Sequence, residues 1–125
     1  MSCYCLVVLQ TPLLAQDLAH TLADLTGCTV IVAETVEGGF HRLADETPHS
    51  LLYAFVQSDA ATLRASLLFG QIMRLGGRTV LLGHAAEMEV IRGEGCPAWP
   101  VLPQPFGATQ VAALLERLPP VTTSG

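Results

Sequence analysis

Few residues in this chain could do chemistry. Its six basic side chains are all arginine, at Arg42, Arg64, Arg74, Arg78, Arg92 and Arg117, and there is no lysine. Schiff-base chemistry and a phosphate-binding P-loop lysine are therefore excluded. Four cysteines stand at Cys3, Cys5, Cys28 and Cys96. The spacing Cys3-Tyr4-Cys5 puts two thiols on one face of a strand. They would begin a metal site, but no matching second pair follows. Buried free thiols of a cytoplasmic protein are the expectation. Of the four histidines, His20, His41 and His49 fall on helix or turn positions expected to be solvated, which leaves His84. Asp59 precedes a helix-forming run and reads as its cap.

The elements that must position these residues alternate along the chain. "CLVVL" (5–9), "CTVIVA" (28–33), "SLLYAFV" (50–56), "TVLLGH" (79–84) and "PVLP" (100–103) are short apolar runs. Continuous apolarity of this kind marks strands covered on both faces. Between them lie helix patterns. Pro12 suits a first turn and Gly27 a C-terminal cap, with Leu14, Leu18, Leu22 and Leu25 as one stripe. Residues 36–47 form a weaker helix, because Gly38 and Gly39 each cost about 1 kcal/mol relative to alanine. One long helix is expected over 60–77 with Leu63, Leu67 and Met73 buried. A short one follows at 85–93, and a last one at 108–118 turns Val111, Leu114, Leu115 and Leu118 inward. Five strands alternating with five helices predict an α/β fold with a five-stranded parallel sheet and helices on both faces. The flavodoxin-like strand order 2-1-3-4-5 is the expected arrangement, with any ligand site at the carboxyl ends of the strands.

The composition agrees with one domain over 1–119, followed by a tail over 120–125 expected to be disordered. Half the residues are apolar and only 14% are charged. Disorder of the body is excluded, and coverage of some apolar surface by a partner or second copy is suggested. A net charge of −5 repels a phosphate backbone, so nucleic acid is not an expected partner. No stretch approaches the roughly 18 uninterrupted apolar residues of a membrane span. No basic region precedes an apolar one at the N-terminus, so no secretory signal is expected.

"VLPQPFGATQVAALLERL" (101–118), together with "VIVAETVEG" and "ETPHSLLYA", resembles the response-regulator receiver family over residues 5 to 118. The resemblance implies a signalling role in two-component signal transduction. It also implies a cis peptide bond at Gln104–Pro105. A phosphorylatable receiver carries two carboxylates after its first strand and an aspartate at the end of its third. These hold Mg²⁺, which neutralises the transferring phosphoryl group. By this resemblance the paired acidic positions fall on Leu9 and Gln10, the acceptor on Ala54, the hydroxyl position on His84 and the lysine on Gln104. The mobile aromatic position falls on Val101, with Trp99 two residues earlier. None of these preserves the chemistry, so the chain resembles a pseudo-receiver. No catalytic residue, cofactor or metal is expected.

Gln10, His84 and Gln104, with Asp59 beside them, would converge on the rim of that degenerate site. The simplest reading is that His84 and Gln104 hydrogen-bond loop backbone. The family often docks partners through its fourth helix, fifth strand and fifth helix. Here that face would hold Met88, Val90, Ile91, Trp99, Val101, Ala112 and Ala113. The expected function is therefore a phosphorylation-independent regulatory module, not an enzyme, acting by contact with a protein partner or as a homodimer. A small-molecule sensor using the strand-end crevice is the alternative, and an unrecognised flavodoxin-like enzyme the third.

Overall fold

The computed structural model describes residues 3–92, 99–103 and 106–117. In chain order the elements are β1 (Tyr4–Val8), α1 (Pro12–Thr26), β2 (Thr29–Ala33), α2 (Val36–Glu46), β3 (Leu51–Gln57), α3 (Ala60–Arg64), α4 (Leu67–Leu75), β4 (Arg78–Leu82), α5 (His84–Arg92), β5 (Val101–Leu102) and α6 (Ala108–Arg117). The strands form one parallel sheet in the order β2-β1-β3-β4-β5. This is the flavodoxin-like arrangement that the alternation of apolar runs and amphipathic segments predicts.

Each face of the sheet carries its own core, because successive strand residues point to opposite sides. Leu6, Val8, Ile31, Ala54, Val56 and Leu81 pack beneath α2, α3, α4 and the start of α5. Cys5, Val7, Leu9, Tyr53, Phe55, Val80 and Leu82 pack beneath α1 and α6. At Gly39 of α2, an added Cβ would lie 3.1 Å from Val8 Cγ2 and 3.3 Å from Leu68 Cδ2. The glycine that weakens the helix locally thus lets it approach the sheet and α4. Thr35 supports this helix by accepting the Gly38 N–H at 2.9 Å.

Four expectations need correction. The helix foreseen over 60–77 is two helices. Ser66 donates its hydroxyl to the Leu63 carbonyl at 2.6 Å and caps α4 by accepting the Phe69 N–H at 3.3 Å. The break rotates the buried face onto Leu68, Ile72 and Leu75, leaving Leu67 72% and Met73 59% exposed. Leu25 is 47% exposed, and Ala15 joins Leu18 and Leu22 as the buried stripe of α1. β4 ends at Leu82, so His84 begins α5 instead of ending a strand. Finally, Cys3 and Cys28 are joined by a disulfide, with Cα atoms 4.9 Å apart, while Cys5 is a buried free thiol as expected. Tyr4 stands opposite Thr29 in the β1–β2 ladder, so the preceding residues face each other. Closing this 25-residue separation stabilises the fold by about 3 kcal/mol. Cys96, Leu118, the Gln104–Pro105 bond and the tail lie outside the described residues.

Candidate functional site

A crevice of about 410 Å³ opens at the carboxyl ends of β1, β2, β3 and β4. This is where a doubly wound sheet places its ligand site, since the loops diverge where the strand order reverses. The β1–α1 loop contributes Gln10, and the β2–α2 turn contributes Glu34 and Thr35. Gln57, Ser58 and Asp59 come from the end of β3, and Gly83 and His84 from the β4–α5 turn.

Gln57 organises the floor. Its Oε1 accepts the backbone N–H of Gln10 at 2.8 Å. Its Cγ lies 2.8 Å from where a Cβ on Gly83 would stand. Gly83 has φ 100°, a conformation glycine adopts readily and other residues do not. The absence of a side chain there and the path of Gln57 over it are two parts of one arrangement. It ties the β1–α1 loop to the β4–α5 turn.

Asp59 caps α3, its Oδ2 accepting the Thr62 N–H at 3.2 Å. Its carboxyl is held below the ordinary carboxylate range, chiefly by the hydrogen bond from the Thr62 side chain, with partial burial opposing. The Ser58 hydroxyl donates to the Asp59 carbonyl at 2.9 Å. The described lining thus carries two acidic side chains, Glu34 and Asp59, and no arginine. Such a crevice favours a neutral polar or cationic group over a phosphoryl anion.

The residues assigned through the receiver resemblance do not all meet here. Gln10 and His84 line the crevice and are exposed. Leu9 is 1% exposed and packs into the core beneath α1, its N–H bonded to the Ala33 carbonyl at 3.0 Å. Ala54 is fully buried in the middle of β3, between Leu6 and Thr79. The residue at the crevice end of β3 is Gln57, three positions later. β3 continues three residues past Ala54, pairing Phe55, Val56 and Gln57 with Val80, Leu81 and Leu82 of β4, and a register shift supplies one of those three positions. The β1–β3 register jumps from Tyr4↔Leu51 to Cys5↔Tyr53, so an extra residue, Leu52, enters β3 as a bulge. Counting from Pro48 does not register it. Gln104 lies outside the described residues. Gln57, Ser58 and Glu34 were missed, although "VQSD" directly follows the apolar run of the third strand, where the switch-point rule puts a site.

The interface candidates flank the β5 edge of the sheet on opposite sides. Met88, Trp99 and Val101 are half-buried, and the last two pack against the core beneath α4. The Trp99 ring lies 5.4 Å from that of Phe69, with the Arg64 guanidinium 5.0 Å from its centroid. Trp99 is therefore held toward α3 and α4. Ala112 is half-buried and Ala113 exposed on α6, which packs on the other face. Val90 and Ile91 of α5 point outward, 63% and 76% exposed.

Among the described residues no helix is long and apolar enough to cross a membrane, and no group of three or more histidine, cysteine or acidic side chains is placed to hold a metal ion. No protein-family model matches the sequence, and no curated protein matches it.

Proposed function

We propose that this chain is a phosphorylation-independent, receiver-like regulatory module that acts by docking a protein partner through α5. The reading rests on Val90 and Ile91, adjacent apolar side chains turned to solvent on a helix beside the sheet edge. The core of an interface is more apolar than the rest of the surface and depleted in charge. The crevice agrees with independence from phosphorylation. The crevice end of β3 carries an amide, Gln57, whose oxygen is already engaged, and the residues after β1 are Leu9 and Gln10.

The test is affinity capture from the native cell, with the recovered partner titrated against Val90→Glu and Ile91→Glu. Either substitution, at a solvated position, leaves the fold intact. Each weakens the complex tenfold or more by placing an unpaired charge in the contact. Full affinity in both variants overturns the α5 assignment.

A second reading, a sensor of a small polar ligand, is favoured by the crevice of about 410 Å³, within the range of ligand pockets. It predicts that a small polar amine protects the Gln57 and His84 backbone from hydrogen exchange.

A further inference from the structure

At the amino end of the sheet, away from the crevice, three sulfur-bearing side chains belong to one side of the fold. Cys3 and Cys28 form the disulfide, and Cys5 lies two residues after Cys3 on the same face of β1. Cys3 is half-buried, whereas Cys28 and Cys5 are buried. We propose that Cys3–Cys28 is a reversible redox latch on the first strand, opened by a dithiol reductant and closed again by a small-molecule disulfide.

The geometry carries the proposal in three ways. Cys3 is the more accessible of the two cysteines, so attack by a reductant begins at its end of the bond. The two cysteines also stay opposite each other when the bond opens. The Thr29 N–H donates to the Cys3 carbonyl at 3.0 Å, and the ladder continues from Tyr4↔Thr29 to Val8↔Ala33. On the other side, Gly27 ends α1 with φ 72°, and the Cys28 N–H donates to Thr26 Oγ1 at 3.1 Å. The backbone thus presents the thiols for reclosure. Third, burial raises the Cys5 thiol above its ordinary value, against hydrogen bonds with Tyr53 backbone and the Thr26 side chain. A thiol kept protonated does not attack the neighbouring disulfide, so the pairing is not scrambled.

Opening begins when one thiolate of the dithiol attacks Cys3 Sγ. The Cys3–Cys28 bond breaks, and Cys28 leaves as a thiolate and takes up a proton. The second thiolate of the reductant then attacks its own sulfur in the mixed disulfide. Cys3 is expelled and protonated, and the reductant departs as a cyclic disulfide. Two electrons and two protons pass to the protein. Closure is the reverse exchange with glutathione disulfide, which leaves as two molecules of glutathione.

The experiment uses the full chain equilibrated with dithiothreitol, then with glutathione disulfide. Each state is quenched in acid, alkylated and weighed intact, with peptide mapping of the link and a thermal melt. Reduction should expose two more alkylatable thiols in a protein that stays folded at 25 °C. It should lower Tm by roughly 10 °C, and glutathione disulfide should restore both values. In Cys3→Ser the redox dependence of Tm disappears, and in Cys5→Ser it persists. A link mapped elsewhere, a bond that survives dithiothreitol in the folded protein, or a Tm shift retained in Cys3→Ser overturns the latch. Should Cys3→Ser fail to fold, the mapped, reversible alkylation of the wild type decides.

Discussion

Gln57 at the end of β3 holds the backbone N–H of Gln10, 47 residues earlier, at 2.8 Å, and its side chain passes over Gly83, where a Cβ would collide with it. One uncharged side chain thereby joins three loops at the carboxyl end of the sheet.

Removing that amide tests its structural weight. Gln57→Ala should cost about 1 kcal/mol, the usual net value of one hydrogen bond, while Gln57→Glu, which keeps an acceptor, should cost less. Urea denaturation measures both. Equal midpoints for wild type and Gln57→Ala would remove Gln57 from this role.

Gly83→Ala should be worse, by roughly 1–3 kcal/mol, because φ 100° disfavours a side chain and the new Cβ meets Gln57 Cγ at 2.8 Å. The collision is relieved when Gln57 is truncated. The double variant Gln57→Ala/Gly83→Ala should therefore lose less than the sum of the two single losses. Strict additivity in the same denaturation series would contradict the contact.

Asp59 gives the acid limb of stability a defined sign. Its folded-state pKa lies below the ordinary 3.8, chiefly through the Thr62 side chain. Its contribution is therefore fully present above the unfolded value and is lost as pH falls below 3.8 through the lowered one. Asp59→Asn keeps a capping oxygen but cannot titrate, so its Tm should fall less steeply than that of the wild type across this interval. Parallel curves would rule out the assigned contribution.

Phosphotransfer is the sharpest test of the proposed function. Acetyl phosphate with Mg²⁺ should add no phosphate-sized mass to the wild type. Gln57→Asp should also stay unlabelled, because Leu9 is buried and Gln10 offers no carboxylate to the metal. Ala54→Asp should instead destabilise the fold by about 3 kcal/mol or more, since it puts a carboxyl into a fully buried position. Intact-mass spectrometry and denaturation read these outcomes, and a labelled wild type would falsify the proposal.

Much of this architecture was legible along the chain because its signals are local. A continuously apolar run such as "CLVVL", a proline at the start of α1, Gly27 at its end and Asp59 before α3 each specify an element from their own neighbourhood. Strung in order, they determine a parallel α/β sheet and its strand order. What the sequence did not determine depends on how distant segments meet. Ser66 divides a helix because its hydroxyl finds the Leu63 carbonyl, at the cost of an unbroken apolar stripe. Cys3 pairs with Cys28 and not with its near neighbour Cys5, because the β1–β2 register sets those two residues opposite each other. Gln57, not Ala54, reaches the crevice because the β3–β4 ladder continues three residues past Ala54, through Phe55, Val56 and Gln57, one of them displaced by the bulge at Leu52. Counting residues measures distance along one strand, whereas the hydrogen bonds between strands decide which residue arrives at the end of the sheet.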